Sequence, residues 1–430
     1  MKKTFFFALF LVSFIANAQD EKNDFGIKFS GFVKSDFFYD TRQNATIREG
    51  HFLLYPLNES LDAEKKDINA APSLNFLSIQ SRLTGKITGP DAFGAKTSGV
   101  IEADFFGNEN AAFIDANGFR LRHAFAKLNW EKTELLFGQY WHPMFIPGCY
   151  SGVISFNTGA PIQPFSRNPQ IRIIHKMGKL NLMAAMSEQR DFTSIGGSSA
   201  LRYSAIPDMH AQIYYSSKNE EAKTELLTGA GIGYKILKPT LYTSNGSKKY
   251  VTDETIGGMM GTAYVKYSTE KFTCKLQGIY GENVSDLTML GGYVAKTVTD
   301  TTKNFVEYTT INTSAVWTEF IYSLKKCQIG LWAGYTTNMG SKDSIFDYPT
   351  KLGVATTPIR GGTINYVYRV APRVVFIRNK LNFALEAEYT IASYMTTNDA
   401  GQMNINSNGQ ITDSKDVANI RLLFAVIYNF

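Results

Sequence analysis

From Phe25 onward apolar and polar residues alternate with a period of two, the mark of strands with one apolar face. In the first run Ile27, Phe29, Val33, Phe37 and Tyr39 share one face, and Lys28, Ser30, Lys34, Asp36 and Asp40 share the other. From Leu77 the pattern sets Leu77, Ile79, Leu83 and Ile87 against Ser78, Gln80, Arg82, Thr84 and Lys86. The last run places Ile420, Leu422, Phe424, Val426, Tyr428 and Phe430 on one face. These runs are commonly longer than the five or six residues of an ordinary globular strand. About sixteen strands are predicted, over 25–40, 73–88, 97–107, 117–130, 133–141, 168–177, 179–188, 208–217, 225–237, 256–269, 271–281, 309–324, 326–338, 360–376, 379–395 and 417–430.

The connections between them alternate in length. Segments 41–72, 142–167, 189–207, 238–255, 282–308, 339–359 and 396–416 are long, with a shorter 108–116. Between them fall tight links such as Glu131-Lys132, Met177-Gly178-Lys179, Thr269-Glu270, Lys325-Lys326 and Arg378-Asn379, and the compact 89–96 and 218–224. A soluble β-sandwich or β-helix has no reason to sort its loops by parity, whereas a transmembrane barrel has short periplasmic turns and long extracellular loops. The predicted fold class is all-β: a transmembrane antiparallel β-barrel of about 16 strands with an inward-folded third loop.

Composition fits that reading. Of 430 residues, 44% are hydrophobic and 19% charged, against roughly 25% charged in a soluble domain. No stretch after the first 20 residues offers the ~18 uninterrupted apolar residues of a spanning helix. In hydrocarbon every backbone polar group needs a partner, and ring closure alone removes sheet edges. Tyr39, Trp130, Tyr280 and Tyr428 stand near strand ends, where interfacial girdles form.

Lys2 and Lys3, the apolar run Phe5 to Ile15 and Ala16-Asn17-Ala18 make a secretory signal peptide over 1–18, leaving 19–430 as barrel. Its loss removes two lysines and no acid, so the net charge falls from +6 to +4, too mild to argue for a polyanion partner. Cys149, Cys274 and Cys327 are too few for a disulfide scaffold; one bridge or three ordinary thiols both fit.

The third long loop, 142–167, is apolar and rich in proline. Such a loop needs something to pack against, and the inner wall, where it would constrict the lumen, is the economical place. A subunit interface or a cap over the mouth are the competing positions. Period two places Arg82, Arg120, Arg122, Arg172, Arg369 and Arg373 on inner positions, with Leu121 and Phe125 opposite Arg120 and Arg122. Arginine on the lipid face at mid-depth would cost roughly 2–4 kcal/mol. A basic lumen concentrates anions. Glu102 and Asp104 on the neighbouring strand are candidate partners, and Glu319, Glu386 and Glu388 also point inward. An acid cluster opposite a basic ladder equally fits a transverse field across a constriction.

No H-E-x-x-H, G-x-S-x-G or Walker pattern occurs. The five histidines, His51, His123, His142, His175 and His210, lack metal-ligand spacing; His142 and Cys149 share a loop, but two donors do not make a zinc site. No catalytic residue, cofactor, metal or nucleic-acid partner is expected.

The run Gly31-Phe-Val-Lys-Ser-Asp-Phe-Phe-Tyr-Asp-Thr-Arg42 resembles the first strand of DcaP-like trimeric outer-membrane porins. Ile101-Glu-Ala-Asp-Phe-Phe-Gly107, Leu121-Arg-His-Ala-Phe125 and Phe137-Gly-Gln-Tyr-Trp141 are similar in sequence and order, as is a third loop carrying Phe156-Asn-Thr-Gly-Ala-Pro161 and Ser166-Arg-Asn-Pro-Gln-Ile-Arg172. Terminal Phe430 with Tyr428 and Val426 resembles the recognition signal of outer-membrane barrels. The match is specific over about residues 25–175 and generic beyond. It implies a homotrimer in the outer membrane of a Gram-negative bacterium, passing small anionic solutes such as dicarboxylates. It also places Arg120 and Arg122 in the matching strand and Arg167 and Arg172 at the end of the constriction loop. Apolar Ile146 to Tyr150 and Val153 to Phe156 depart from a charged eyelet.

The expected function is therefore an outer-membrane porin, a passive, anion-preferring channel for small hydrophilic solutes, in contact with outer-membrane lipid. The candidate lining is Arg82, Arg120, Arg122, Arg167, Arg172, Arg369, Arg373, Glu102 and Asp104. One alternative is a carbohydrate-selective channel with an aromatic track. Another is a barrel-type enzyme, which needs a His with a Ser or Asp partner at the wall.

Overall fold

The structure, a computed structural model, describes residues 25–107, 118–346 and 359–430. The expected signal peptide, 1–18, lies outside the described residues.

Sixteen strands follow one another around a closed antiparallel barrel. They are β1 (Gly26–Asp40), β2 (in two pieces, Ser73–Leu77 and Arg82–Thr88), β3 (Lys96–Asp104), β4 (Arg120–Asn129), β5 (Thr133–Trp141), β6 (Arg167–Met177), β7 (Leu180–Ser187) and β8 (Asp208–Asn219). The second half comprises β9 (Thr224–Leu237), β10 (Ile256–Ser268), β11 (Phe272–Glu282), β12 (Phe305–Ser323), β13 (Cys327–Gly340), β14 (Ile364–Arg378), β15 (Leu381–Met395) and β16 (Ser414–Asn429). The ring closes where β1 pairs with β16, from Phe32 opposite Asn429 to Asp40 opposite Arg421. No edge is left open, as a hydrocarbon surround demands.

The alternation sorts side chains as expected. Phe29, Phe37, Ile420, Leu422 and Phe424 are exposed on the outside, while Lys34, Asp36, Asp40 and Arg421 are buried inside. Tyr39, Tyr234 and Tyr280 ring the long-loop end of the outer face, and Tyr267, Tyr322 and Tyr428 the short-turn end. An outward apolar band between two aromatic girdles, on a closed barrel, is the architecture of the outer membrane of Gram-negative bacteria.

Two phase shifts depart from strict alternation. Between the pairs Phe32–Arg82 and Asp36–Leu77, β1 has three residues and β2 has four. The extra residue turns Leu77 and Ile79 inward, leaving Leu74 and Phe76 on the outer face. Leu77 and Ile79 therefore do not share a face with Leu83. A second irregularity sits in β4: Asp104 pairs with Arg120 and Ala103 with Leu121, but Glu102 pairs with His123, so Arg122 is the added residue. Phe125 is thereby turned to the inner face, beside His123 and Tyr140, rather than sharing the outer face with Leu121. A bulge inserts one residue into a ladder and reverses every side chain beyond it.

The first long connection also folds inward. Its hairpin, Asn44–Ile47 with Phe52–Pro56, buries Phe52 and Leu54 beside Phe156 and Phe165 of the third loop. All three cysteines are free thiols.

Candidate functional site in the barrel interior

The third loop leaves β5 at His142 and rejoins β6 at Arg167, its neck closed by the His142 N–H donating to the Ser166 carbonyl at 3.0 Å. Pro143, Pro147, Pro161 and Pro164 prevent it from continuing either strand. Met144, Ile146, Cys149 and Ile162 pack against Tyr264, Ile279, Trp317 and Trp332 of the inner wall. Phe145, Phe156 and Phe165 pack with Phe52, Phe106 and Phe192.

Charged wall residues hold the loop's backbone. Glu386 on β15 accepts from the Ile154 and Ser155 N–H groups at 2.7 and 2.9 Å. Glu319 on β12 accepts from Gly152 N–H at 2.9 Å, and Glu388 from the Asn157 amide at 2.8 Å. Lys34 donates to the Ile154 carbonyl at 2.7 Å, Lys275 to that of Tyr150 at 2.8 Å and Arg369 to that of Ala160 at 2.9 Å. Arg369 also reaches the Leu53 and Leu54 carbonyls of the first-loop hairpin. Hydrogen bonds to charged groups are the strong ones, and in a buried setting they leave the loop little freedom.

Six of the nine predicted residues meet on one wall. Arg120 forks onto Asp104 at 3.0 and 2.9 Å. Arg122 bridges Glu102 and Asp104 at 2.8 Å each. Arg167 grips Asp191 at 2.6 Å, with Arg120 and Arg48 at 3.7 and 3.6 Å from the same carboxylate. Arg82 stands apart from these forks. Its guanidinium is 3.7 Å from Glu102, lies over the Phe32 ring and donates no hydrogen bond among the described residues. Five arginines thus surround three carboxylates, an excess of positive charge on this wall.

The other three lie elsewhere. Arg172 is capped by the Trp141 carbonyl and Gln170 at 2.6 and 2.9 Å. Arg373 pairs with Glu319 at 2.7 Å, shared with Lys275, and Arg369 lies 3.8 Å from Glu388. These two belong to the framework gripping the loop. Lys34 lies on the polar face of the first strand but no spacing marks it, Lys275 carries no signal of its own, and Asp191 sits in a connection where alternation carries no information. Burial would raise the Asp191 pKa, but Arg167, Arg120 and Arg48 outweigh it, and the pKa is lowered.

Between the arginine wall and the loop lies a cavity of 590 Å³. Lys34, Arg82, Glu102, Arg122 and His123 line it from the wall, and Tyr150, Val153 and Ile154 from the loop. Trp141 and Phe145, stacked with centroids 3.9 Å apart, add an aromatic side to the same space.

His142 and Cys149 do not converge. Cys149 donates to the Val265 carbonyl at 3.5 Å, whereas His142 joins Asp208 and His210 in a buried group. His142 Nδ1 accepts from Met144 N–H at 3.2 Å, which directs its Nε2–H toward Asp208, 3.5 Å away. His210 Nε2 is 3.1 Å from the other Asp208 oxygen. A metal-bound imidazole instead donates its second N–H outward, so this group reads as a polar tie between the loop root and β8.

Most of the chain superposes on solved outer-membrane proteins. With the outer membrane channel DcaP of Acinetobacter baumannii the TM-score is 0.62 at 16% identity, covering 94% of this chain and 97% of that one. With OmpT of Vibrio cholerae, expressed in the outer membrane, it is 0.52 at 11% identity, covering 95% and 99%. The likeness is one of fold, and it is the fold that the strand motifs resembled. No family model and no curated protein matches the chain.

Proposed function

We propose that the chain is an outer-membrane porin, a passive channel for small hydrophilic solutes that prefers anions such as dicarboxylates. The observation that carries the preference is the lining of the 590 Å³ cavity, where Lys34, Arg82 and Arg122 stand against Glu102 on the lining and Asp36 behind it, 3.1 Å from the Lys34 ammonium. Arg82 is the solute-facing group: a rigid fork matched to carboxylate, with its donors uncommitted. Arg120, Arg122 and Arg167 supply field rather than contact, because their forks are already occupied by Asp104, Glu102 and Asp191. Surplus positive charge in a confined passage raises the local anion concentration. Residues 142–167 act as the constriction. In this proposal residues 1–18 are a signal peptide removed after Ala18, and the mature barrel works as a homotrimer, as the DcaP-like resemblance implies.

Uptake into proteoliposomes tests the preference. A small dicarboxylate should enter faster than an uncharged solute of equal size, and a diamine more slowly. Equal rates for all three would contradict the charge argument.

Trp141, Phe145 and Tyr150 favour a second reading, because they give the same cavity an aromatic side suited to sugar rings. Block of ion current by linear oligosaccharides at millimolar concentration, with no block by dicarboxylates, would move the assignment to a carbohydrate-selective channel.

A further inference from the structure

The short-turn rim carries charge unevenly. Lys96 meets Asp91 at 2.7 Å, Lys218 meets Glu220 at 2.6 Å and Lys223 meets Glu270 at 2.8 Å. At the long-loop end the half-buried Lys238 faces Asp253 and the exposed Lys415 faces Glu59, each at 2.8 Å. Other exposed rim lysines, among them Lys132, Lys176, Lys179 and Lys271, form no ion pair among the described residues, but four cations gather at one pair of adjoining turns. Lys325 and Lys326 in the β12–β13 turn, with Arg378 and Lys380 at the β14–β15 turn, are all exposed. Their side chains form no ion pair with a carboxylate among the described residues.

The two turns are held side by side. The Lys326 carbonyl accepts from the Ile377 N–H at 2.9 Å and from Arg378 Nη1 at 3.4 Å. The four cations therefore share one small area. Immediately above them on the outer face stand Tyr322, Ile329, Phe376 and Phe383, exposed to the bilayer, with Phe376 and Phe383 in register across β14 and β15.

We infer that this cluster is a headgroup site for an anionic phospholipid of the periplasmic leaflet. Four like charges without a protein counter-charge repel one another, and phosphate is the anion available at that depth of the membrane. Each lysine or arginine near an anionic lipid surface adds to the attraction. The rings above supply an apolar wall for the acyl chains, as aromatic belts do at the interface. Orientation follows from the barrel, whose short turns face the periplasm. Charge complementarity selects the lipid: a zwitterionic headgroup cancels most of the attraction that a phosphatidylglycerol or a two-phosphate lipid gives in full.

The test uses full-length protein purified in detergent and offered equal amounts of phosphatidylglycerol and phosphatidylcholine, with retained lipid counted by native mass spectrometry. The wild type should retain the anionic lipid with a preference of about tenfold, falling as KCl is raised from about 0.1 to about 1 M. The variant Lys325→Gln/Lys326→Gln/Arg378→Gln/Lys380→Gln should lose most of that preference, whereas Lys248→Gln/Lys249→Gln at the long-loop end should keep it. Circular dichroism checks that each barrel is folded, and the salt series on wild type stands whether or not the quadruple variant folds. Equal retention of the two lipids, retention unchanged by salt, or tighter capture of soluble polyphosphate than of the anionic lipid would overturn the assignment.

Discussion

Glu386 on β15 accepts hydrogen bonds from two consecutive backbone N–H groups of the third loop, one of them Ile154 at 2.7 Å. A buried carboxylate thus fixes the direction of a loop more than 200 residues away in sequence, as the 232-residue separation of the pair records. Glu386→Ala leaves both amides without an acceptor and Arg373 with one fewer carboxylate nearby. The expected cost is roughly 1–3 kcal/mol for each amide left without an acceptor, read as a lower denaturant midpoint. Single-channel traces should also become noisier, because the loop would sample more than one position.

Arg82 and Arg122 should behave differently although both line the same cavity. Arg82→Ala removes a fork that holds no hydrogen bond among the described residues, so stability should change by less than about 1 kcal/mol. The anion-to-cation permeability ratio should fall roughly threefold. Arg122→Ala strips Glu102 and Asp104 of close partners at 2.8 Å, so destabilisation of roughly 3–5 kcal/mol should accompany any change in selectivity. Measuring unfolding and reversal potential on the same two variants separates the roles.

How far the strands and the site were readable depends on what alternation encodes. Outward positions must be apolar in lipid, so Phe29, Phe37 and Leu422 announce their face, and the inner placement of Arg82, Arg120, Arg122, Arg369 and Arg373 follows by parity. Parity fails at an inserted residue. Neither the stretch before Arg82 nor Arg122 carries a residue type that marks a bulge, which is why Leu77, Ile79 and Phe125 exchange faces. The partners are less legible still. Asp191 reaches Arg167 from a connection, and the hairpin carrying Phe52 enters the lumen, a placement whose one sequence signal is the apolar run Phe52-Leu-Leu-Tyr-Pro56 inside an otherwise polar 41–72. Both are consequences of tertiary closure.

Gly152 sits where the loop passes closest to the Glu319 and Arg373 pair. A Cβ there would lie 2.9 Å from both Glu319 Oε1 and Arg373 Nη2, buried ends already joined at 2.7 Å. Gly152→Ala should therefore displace the loop toward the cavity and lower conductance, with a stability cost of roughly 1–3 kcal/mol. A rise in conductance would mean that the loop moves outward instead.

Asp191 tethers the β7–β8 connection through Arg167, and its lowered pKa fixes the sign of the pH effect. The stabilisation is fully present above the unfolded carboxyl pKa of about 3.9 and is lost as pH falls through the lower folded value. Protease cleavage within 188–206 should be equally slow at pH 7 and pH 5 and should accelerate only below about pH 4. Asp191→Asn should be cleaved faster than wild type at pH 7 and pH 5, and the difference should narrow as pH falls below about 4.

The reversal potential of purified protein in a planar bilayer under a tenfold KCl gradient addresses the central claim most directly. An open, arginine-biased passage predicts current that reverses on the chloride side of zero. Reversal on the potassium side would contradict the charge assignment, and a bilayer that stays silent would contradict the channel itself.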